Sequence, residues 1–332
     1  MQMNSSLRLL SLPLIFFTGA ACAQTTSTGS GQAYPTKSVR IVVGFAAGGS
    51  VDMVGRILAQ NLSATYGKQV VVDNRPGAAS HIAGNIVAKS EPDGYTLLVS
   101  SNGGLGTNLA IYSKLQYNAL KDLTPIALLV HQGQVLIVNP SVPARNVKEF
   151  IALAKAKPGQ LNYGSAGVGG PLHMAAELFS YLAGVKMTHV VYKGGALALI
   201  DLLGGQIDVG FQPIPEAMPY IKPGRVRALA VTSAKRAVSL PDLPTIAEAG
   251  VPGYAFVSWM GIAGPGGMSK ELAARISADF NKALAAPEVQ GRLLDIGLDI
   301  AGGTPEQLGA HMRDELAKMV KIVKDVGIPP VD

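Results

Sequence analysis

Short valine- and isoleucine-rich runs alternate with helix-period segments along most of this chain. That alternation restricts it to sheets with parallel strands covered by helices. Residues 41–43 (Ile-Val-Val) read as a strand, Val51, Val54, Ile57, Leu58 and Leu62 follow at helical spacing, and Gly67 ends the helix. Residues 70–72 are the next strand, Asn74-Arg75-Pro76-Gly77 a turn, and Ile82, Ile86 and Val87 mark a second helix that Pro92-Asp93-Gly94 stops before a strand over 95–99. The pattern restarts after Pro140-Ser141-Val142-Pro143. A helix is expected over 147–156, strands over 161–163, 189–192, 207–211 and 226–231, helices from Pro171 and over 196–203, and a largely helical tail after Ser269. The halves look like variants of one βαβ plan, and 332 residues suit two domains of roughly 100–200 residues each.

The N-terminus reads as a separate object. Arg8 precedes an apolar stretch over 9–17, too short to span a membrane, and Ala21-Cys22-Ala23 fits a small-x-small cleavage pattern. A secretory signal over residues 1–23, cut after Ala23, is the expectation, and with it a periplasmic protein. The rival is a lipoprotein acylated at Cys22, although Gly19 stands where such signals usually carry leucine. Cys22 is the only cysteine, so cleavage after Ala23 leaves none and excludes thiol nucleophiles, zinc thiolates and iron–sulfur ligation. No later apolar run reaches membrane-spanning length, so a soluble mature protein is expected. The formal charge is +6 with Lys and Arg scattered, which suits acidic small molecules and argues against nucleic acid.

In open α/β sheets, ligands collect beyond the carboxyl ends of the strands. Five such segments are small or polar: residues 44–50, 100–104, 164–170, 192–195 and 211–213. Where they open helices they offer unpaired N–H groups and partial positive charge. Ser50, Ser100, Ser101, Asn102, Ser165 and Lys193 lie in them, and Phe45, Phe211 and Met218 offer apolar surface. Each segment alone is also what any strand–helix turn requires, so the case rests on the set.

Nucleotide motifs fail. Gly44 and Gly49 have P-loop spacing, but Ser50-Val51 stand where Lys and Ser/Thr are required. Leu172 occupies the third glycine position of a dinucleotide fingerprint begun at Gly167-Val168-Gly169, and Ser165 lacks the glycine spacing of a hydrolase elbow. His81, His131, His173, His189 and His311 have no metal-ligand spacing, so no metal and no cofactor is expected. His173 follows the 164–170 loop and reads as either a site residue or a structural histidine. Asp52, in a first helical turn, reads as a cap rather than a catalyst.

Tyr34-Pro35 with Phe45-Ala46-Ala47-Gly48-Gly49, Asn74-Arg75-Pro76-Gly77-Ala78, Pro92-Asp93-Gly94-Tyr95-Thr96-Leu97-Leu98, Tyr163-Gly164-Ser165-Ala166-Gly167, Tyr192-Lys193-Gly194 and Leu243-Pro244-Thr245-Ile246-Ala247-Glu248-Ala249-Gly250 occur in this order. The ordered set resembles the Bug (Bordetella uptake gene) family of periplasmic solute-binding receptors of tripartite tricarboxylate transporters, from about Tyr34 to the C-terminus. The resemblance implies an α/β, two-lobed periplasmic binding protein of the Venus-flytrap, type II-like kind, each lobe a mixed sheet flanked by helices. Lobe one would take 34–132 and 254–332, and lobe two 133–253. It implies a small organic carboxylate, held partly through water, no catalysis, a monomer, and membrane permease subunits as partners. By motif it points to Phe45, Ala46, Gly48, Ser50, Ser100, Asn102, Ser165, Ala166, Gly167 and His173 as ligand-binding. Lys193, Phe211 and Gln212 join them from the polar segments.

Two departures from the family pattern concern specificity. Gln212-Pro213 stand where relatives often carry an acidic or amide pair, which weakens the case for an amino-acid ligand, and Ala79-Ser80-His81 replace Gly-Gly-Asn. An exported α/β hydrolase using Ser165 and His173, and a receptor presenting its ligand to a signalling partner, are the alternatives.

Overall fold

The apolar runs pair into two sheets. The computed structural model describes residues 1–2 and 34–332; Cys22 and the expected cleavage point after Ala23 lie outside the described residues. In chain order come β1 (Val39–Val43), α1 (Ser50–Tyr66), β2 (Val70–Asn74), α2 (His81–Ala88), β3 (Thr96–Ser101), α3 (Asn102–Leu105) and β4 (Leu123–Gln132). Then follow β5 (Gln134–Val138), α4 (Val147–Ala156), β6 (Asn162–Ser165), α5 (Pro171–Ala183), β7 (Thr188–Val191), α6 (Gly195–Leu203), β8 (Val209–Pro213), α7 (Ile214–Ile221) and β9 (Arg227–Val231). The remainder is β10 (Ser258–Pro265), α8 (Lys270–Ala285), α9 (Pro287–Asp295), β11 (Leu298–Ile300) and α10 (Pro305–Val326).

The first sheet has the order β11-β4-β10-β3-β1-β2 and the second β7-β6-β8-β5-β9. Strand–helix alternation correctly marks the parallel trio β3-β1-β2 and the parallel pairs of β6 with β7 and β8. It says nothing of the antiparallel strands β4, β10 and β11 or of β5, which make both sheets mixed. Two boundaries differ from the expected ones in a way that matters below. β3 continues through Ser101, and residues 211–213 end strand β8 rather than forming a loop.

Two chain passages join the sheets. Gly133 alone separates β4 from β5, and residues 232–257 lead from β9 back to β10. The passages are tied together: the Thr232 N–H donates to the Gln134 carbonyl at 2.9 Å, and the Ser258 hydroxyl to the Gln132 carbonyl at 3.1 Å.

Strand alternation sorts the second sheet's core onto two faces. Leu136 and Val138 of β5 pack with Phe150, Phe179 and Tyr254, while Val135 and Ile137 pack with Leu199, Leu202 and Ile214. Met319 and Ile328, at the end of the helical tail, join the Phe150–Phe179 cluster. Phe179 has no solvent exposure; truncating such a residue to alanine costs about 3–5 kcal/mol.

Candidate functional site

The loop 44–50 leaves β1 and opens α1, whose N-cap is Gly49, with no side-chain cap. Its first N–H groups therefore need partners from elsewhere. Asp52 supplies part of the answer from inside the turn. Its Oδ2 accepts the Gly48 N–H at 3.0 Å, and it is also bonded by Arg56 and Asn74. Burial pushes the Asp52 pKa up, but bonds from Arg56, Gly48 and Asn74 outweigh it, so the carboxyl titrates below its ordinary value. It serves the loop's architecture.

The next donor points across a cleft. The Ser50 N–H donates to Glu216 Oε1 at 2.8 Å. Glu216 sits in the first turn of α7, beneath the other sheet. Around this bond lies a cavity of about 30 Å³, room for a water or two. Phe45, Ala46, Gly49, Ser50, Val51, Ser101 and Gln132 line it from the first sheet's side, and Ala166, Pro171, Leu172, Gly195, Pro213 and Glu216 from the second's. The wall includes residues at the starts of α1, α5, α6 and α7, each a source of N–H donors and partial positive charge. Pro171 takes the first position of α5, as expected for a residue without an N–H.

Several buried polar atoms here lack a hydrogen-bond partner among the described residues. They are Ser101 Oγ, Gln132 Nε2 and Glu216 Oε2 on the wall, and both amide atoms of Gln212 behind it. Such atoms are exceptions in folded proteins and call for water or ligand. Glu216 is half-buried as a residue while its Oε2 is shielded from solvent. Burial raises its pKa, against the lowering effect of the Ser50 bonds.

Of the residues singled out in the sequence, Phe45, Ala46, Ser50 and Ala166 line the cavity. Gln212 stands just behind: a Cβ built on Gly195 would lie 3.0 Å from Glu216 Oε2 and 3.5 Å from Gln212 Oε1. Gly48 is held by Asp52. Gly167 packs against the first sheet's turn at Ala79, where a Cβ would come within 2.7 Å of the Ala79 nitrogen. Ser100 turns away and donates to Ser80 Oγ at 2.7 Å, leaving Ser101 on the wall, and the Asn102 amide reaches Thr107 Oγ1 at 3.3 Å. Phe211 belongs to the core against Phe179, Met218 packs on the Val135–Ile214 cluster, and Lys193 is exposed.

The Ser165–His173 pair required by the hydrolase alternative does not form. His189 Nε2, not His173, lies 2.6 Å from Ser165 Oγ, and His173 Nδ1 accepts the Gly169 N–H at 3.3 Å. His173, His189 and Tyr163 cluster with ring centroids 4.5 and 4.8 Å apart along the row. Burial, with His189 adding to it, holds His173 down to about 3, and burial holds His189 at about 4, so both imidazoles are neutral at pH 7. Among the described residues no carboxylate bonds His189, so the orienting acid of a triad is missing.

Glu216 and Gln132 escape the sequence reading, while Ser101 and Leu172 enter it without being assigned to the ligand. The acidic group missing directly after Phe211 is supplied by Glu216, one helical turn on.

Two mixed sheets, two connecting passages and a cleft lined by strand ends and helix starts from both sheets define the class of two-lobed periplasmic solute-binding proteins. Residues 54–328 match the tripartite tricarboxylate transporter family receptor, and the chain belongs to that family. The protein BugT of Bordetella pertussis is 32% identical, covering 96% of this chain and 98% of its own, which bears out the Bug resemblance. Among solved structures, Rpa4515 of R. palustris with adipate is 37% identical with a TM-score of 0.87, covering 90% of this chain and 100% of its own. MatC (Rpa3494) from Rhodopseudomonas palustris with bound malate is 31% identical with a TM-score of 0.84, covering 87% and 100%. The family is one of receptors, not of enzymes.

Proposed function

We propose that this chain is an exported receptor that closes two lobes on a small organic carboxylate and delivers it to the permease subunits of a tripartite tricarboxylate transporter. Lobe one takes 34–132 and 254–332 and lobe two 133–253, with the hinge at Gly133 and the passage before Ser258. The protein acts as a monomer and is released by cleavage after Ala23. The observation that carries this reading is the convergence of four helix starts on one cleft whose amide and hydroxyl groups lack protein partners. Backbone N–H groups hold an anion without a matching lysine or arginine. The adipate and malate held by two relatives support the ligand class. In this account Phe45, Ala46, Ser50, Ser101, Ala166 and Gln212 meet the ligand or its waters. Gly48, Ser100, Asn102, Ser165, Gly167 and His173 shape the loops that do.

A thermal-shift panel of mono-, di- and tricarboxylates, aromatic acids and amino acids tests it. A specific ligand at a hundredfold excess over Kd stabilises the fold by about 2.7 kcal/mol. A panel with no shift, together with turnover of an ester, would refute the receptor reading.

A further inference from the structure

The α1 helix cannot cap itself, because its N-cap is a glycine, and the group that meets its first N–H is a carboxylate from the other side of the cleft. The Ser50 N–H donates to Glu216 Oε1 at 2.8 Å. The second oxygen, Oε2, is shielded and unpartnered and faces Gly195 at the start of α6. No described lysine, arginine or histidine forms an ion pair with Glu216. A carboxylate thus already sits between two helix starts, the place the receptor reading gives to the ligand. The space left beside it, about 30 Å³, has room for a water or two and is too small for an organic diacid.

We propose that Glu216 is a tethered substitute for the ligand's carboxylate: in the closed, ligand-free protein it caps α1 across the cleft, and an incoming carboxylate has to take its place. This inference rests on the carboxylate-receptor reading above. Ser50 belongs to a helix on the first sheet and Glu216 to a helix on the second, so their bond needs the sheets to approach. It therefore holds the empty protein shut as well as occupying the site. The Glu216 residue is partly exposed while its Oε2 is shielded, so its carboxyl has to swing outward when the ligand arrives. Because the substitute is part of the chain, its effective concentration at the site is high and constant. The residue then sets both affinity and selectivity, since a ligand must grip α1 more firmly than Glu216 does. The rival role is a counter-charge that pairs with a ligand ammonium, and it makes the opposite prediction on removal.

The test uses Glu216→Ala and Glu216→Gln in the full mature chain, with thermal unfolding to establish that each folds. Calorimetric titration uses adipate, succinate and glutamate as probes, and small-angle scattering is recorded without ligand. A site free one time in ten forfeits about tenfold in apparent affinity. Glu216→Ala is therefore expected to bind adipate or succinate about tenfold more tightly. Its ligand-free radius of gyration should exceed that of the wild type and shrink on binding. Glu216→Gln, which keeps an acceptor for Ser50 but no charge, should fall between. Unchanged or weaker carboxylate binding by Glu216→Ala, or a ligand-free form as closed as the wild type, would overturn the proposal. So would wild-type binding of glutamate that disappears in Glu216→Ala, which would assign the counter-charge role. If neither protein binds any carboxylate, the receptor reading fails, while the ligand-free scattering still decides whether Glu216 holds the closed form.

Discussion

Gly194 rests against Ala46 across the cleft, so close that a Cβ at Gly194 would lie 2.8 Å from the Ala46 Cβ and 3.2 Å from its nitrogen. Gly194 has φ 172 and ψ 155, extended backbone that any residue adopts. The glycine is needed there for approach, not for conformation.

Gly194→Ala therefore props the two sides apart without straining its own backbone. Its affinity for the carboxylate ligand should fall roughly tenfold or more, because the binding-competent closed form becomes rarer. Gly194 is buried at this contact, and because the loops part to relieve the clash the unfolding free energy should fall by no more than about 1–3 kcal/mol, the usual cost of overpacking. Calorimetric titration beside chemical unfolding measures both; wild-type affinity in the variant would show that these loops do not meet on closure.

Ala78, Ala79 and Ser80 have φ of 45, 47 and 75, three successive non-glycine residues in the left-handed region. This is the turn that packs against Gly167 and that Ser100 and Asn108 pin by hydrogen bonds. Left-handed backbone costs a residue with a Cβ about 1–2 kcal/mol. Ala78 is exposed, so replacing it with glycine relieves strain without emptying the core. Ala78→Gly should stabilise the protein by roughly 0.5–1 kcal/mol after the entropy of the freer unfolded chain is counted. Ala78→Val should destabilise it by more than that. Urea unfolding of the pair checks both signs, and a destabilised glycine variant would contradict the strained turn.

The resemblance implies Gly-Gly-Asn at the Ala79-Ser80-His81 positions, and the positive φ of Ala79 and Ser80 is backbone that glycine adopts without strain. Other parts of the site were legible for equally local reasons. The loop before Ser50 and the Pro171 helix start are written in neighbouring residues, through glycine, helix period and the missing proline N–H. What escaped depends on distance or on a single-residue boundary. Ser100 and Ser101 exchange faces according to whether β3 ends before or after them, because side chains alternate along a strand. His173 drew attention as the histidine next in the chain, yet strand pairing brings His189, opposite Tyr163, to Ser165. Glu216 meets Ser50 across 166 residues of sequence. Pro215 and Pro219 interrupt the pattern of its helix, so nothing local marked it.

The buried histidines predict a loss of stability in acid. His173 and His189 have folded values of about 3 and about 4, below the ordinary 6.5. The unfolded chain therefore binds more protons than the folded one below pH 6.5. The stability they contribute is fully present above that pH and is lost as pH falls toward 3. Allowing for the partial exposure of His189, the loss between pH 7.5 and 5 should be on the order of 2–3 kcal/mol. A His173→Asn, His189→Asn double variant should show a flatter profile in urea unfolding across this range. Parallel profiles for the two proteins would mean that these imidazoles are not held neutral.

The central claim is that the cleft recognises a carboxylate through helix-start N–H groups. Titrating the best ligand of the panel against the primary amide of the same carbon skeleton tests it most directly. Shape and apolar contact are matched in the pair, and only the anionic group differs. The account predicts that the amide binds at least about a hundredfold more weakly, roughly 2.7 kcal/mol. Equal affinity for acid and amide would contradict it, because the site would then be reading the skeleton and not the charge.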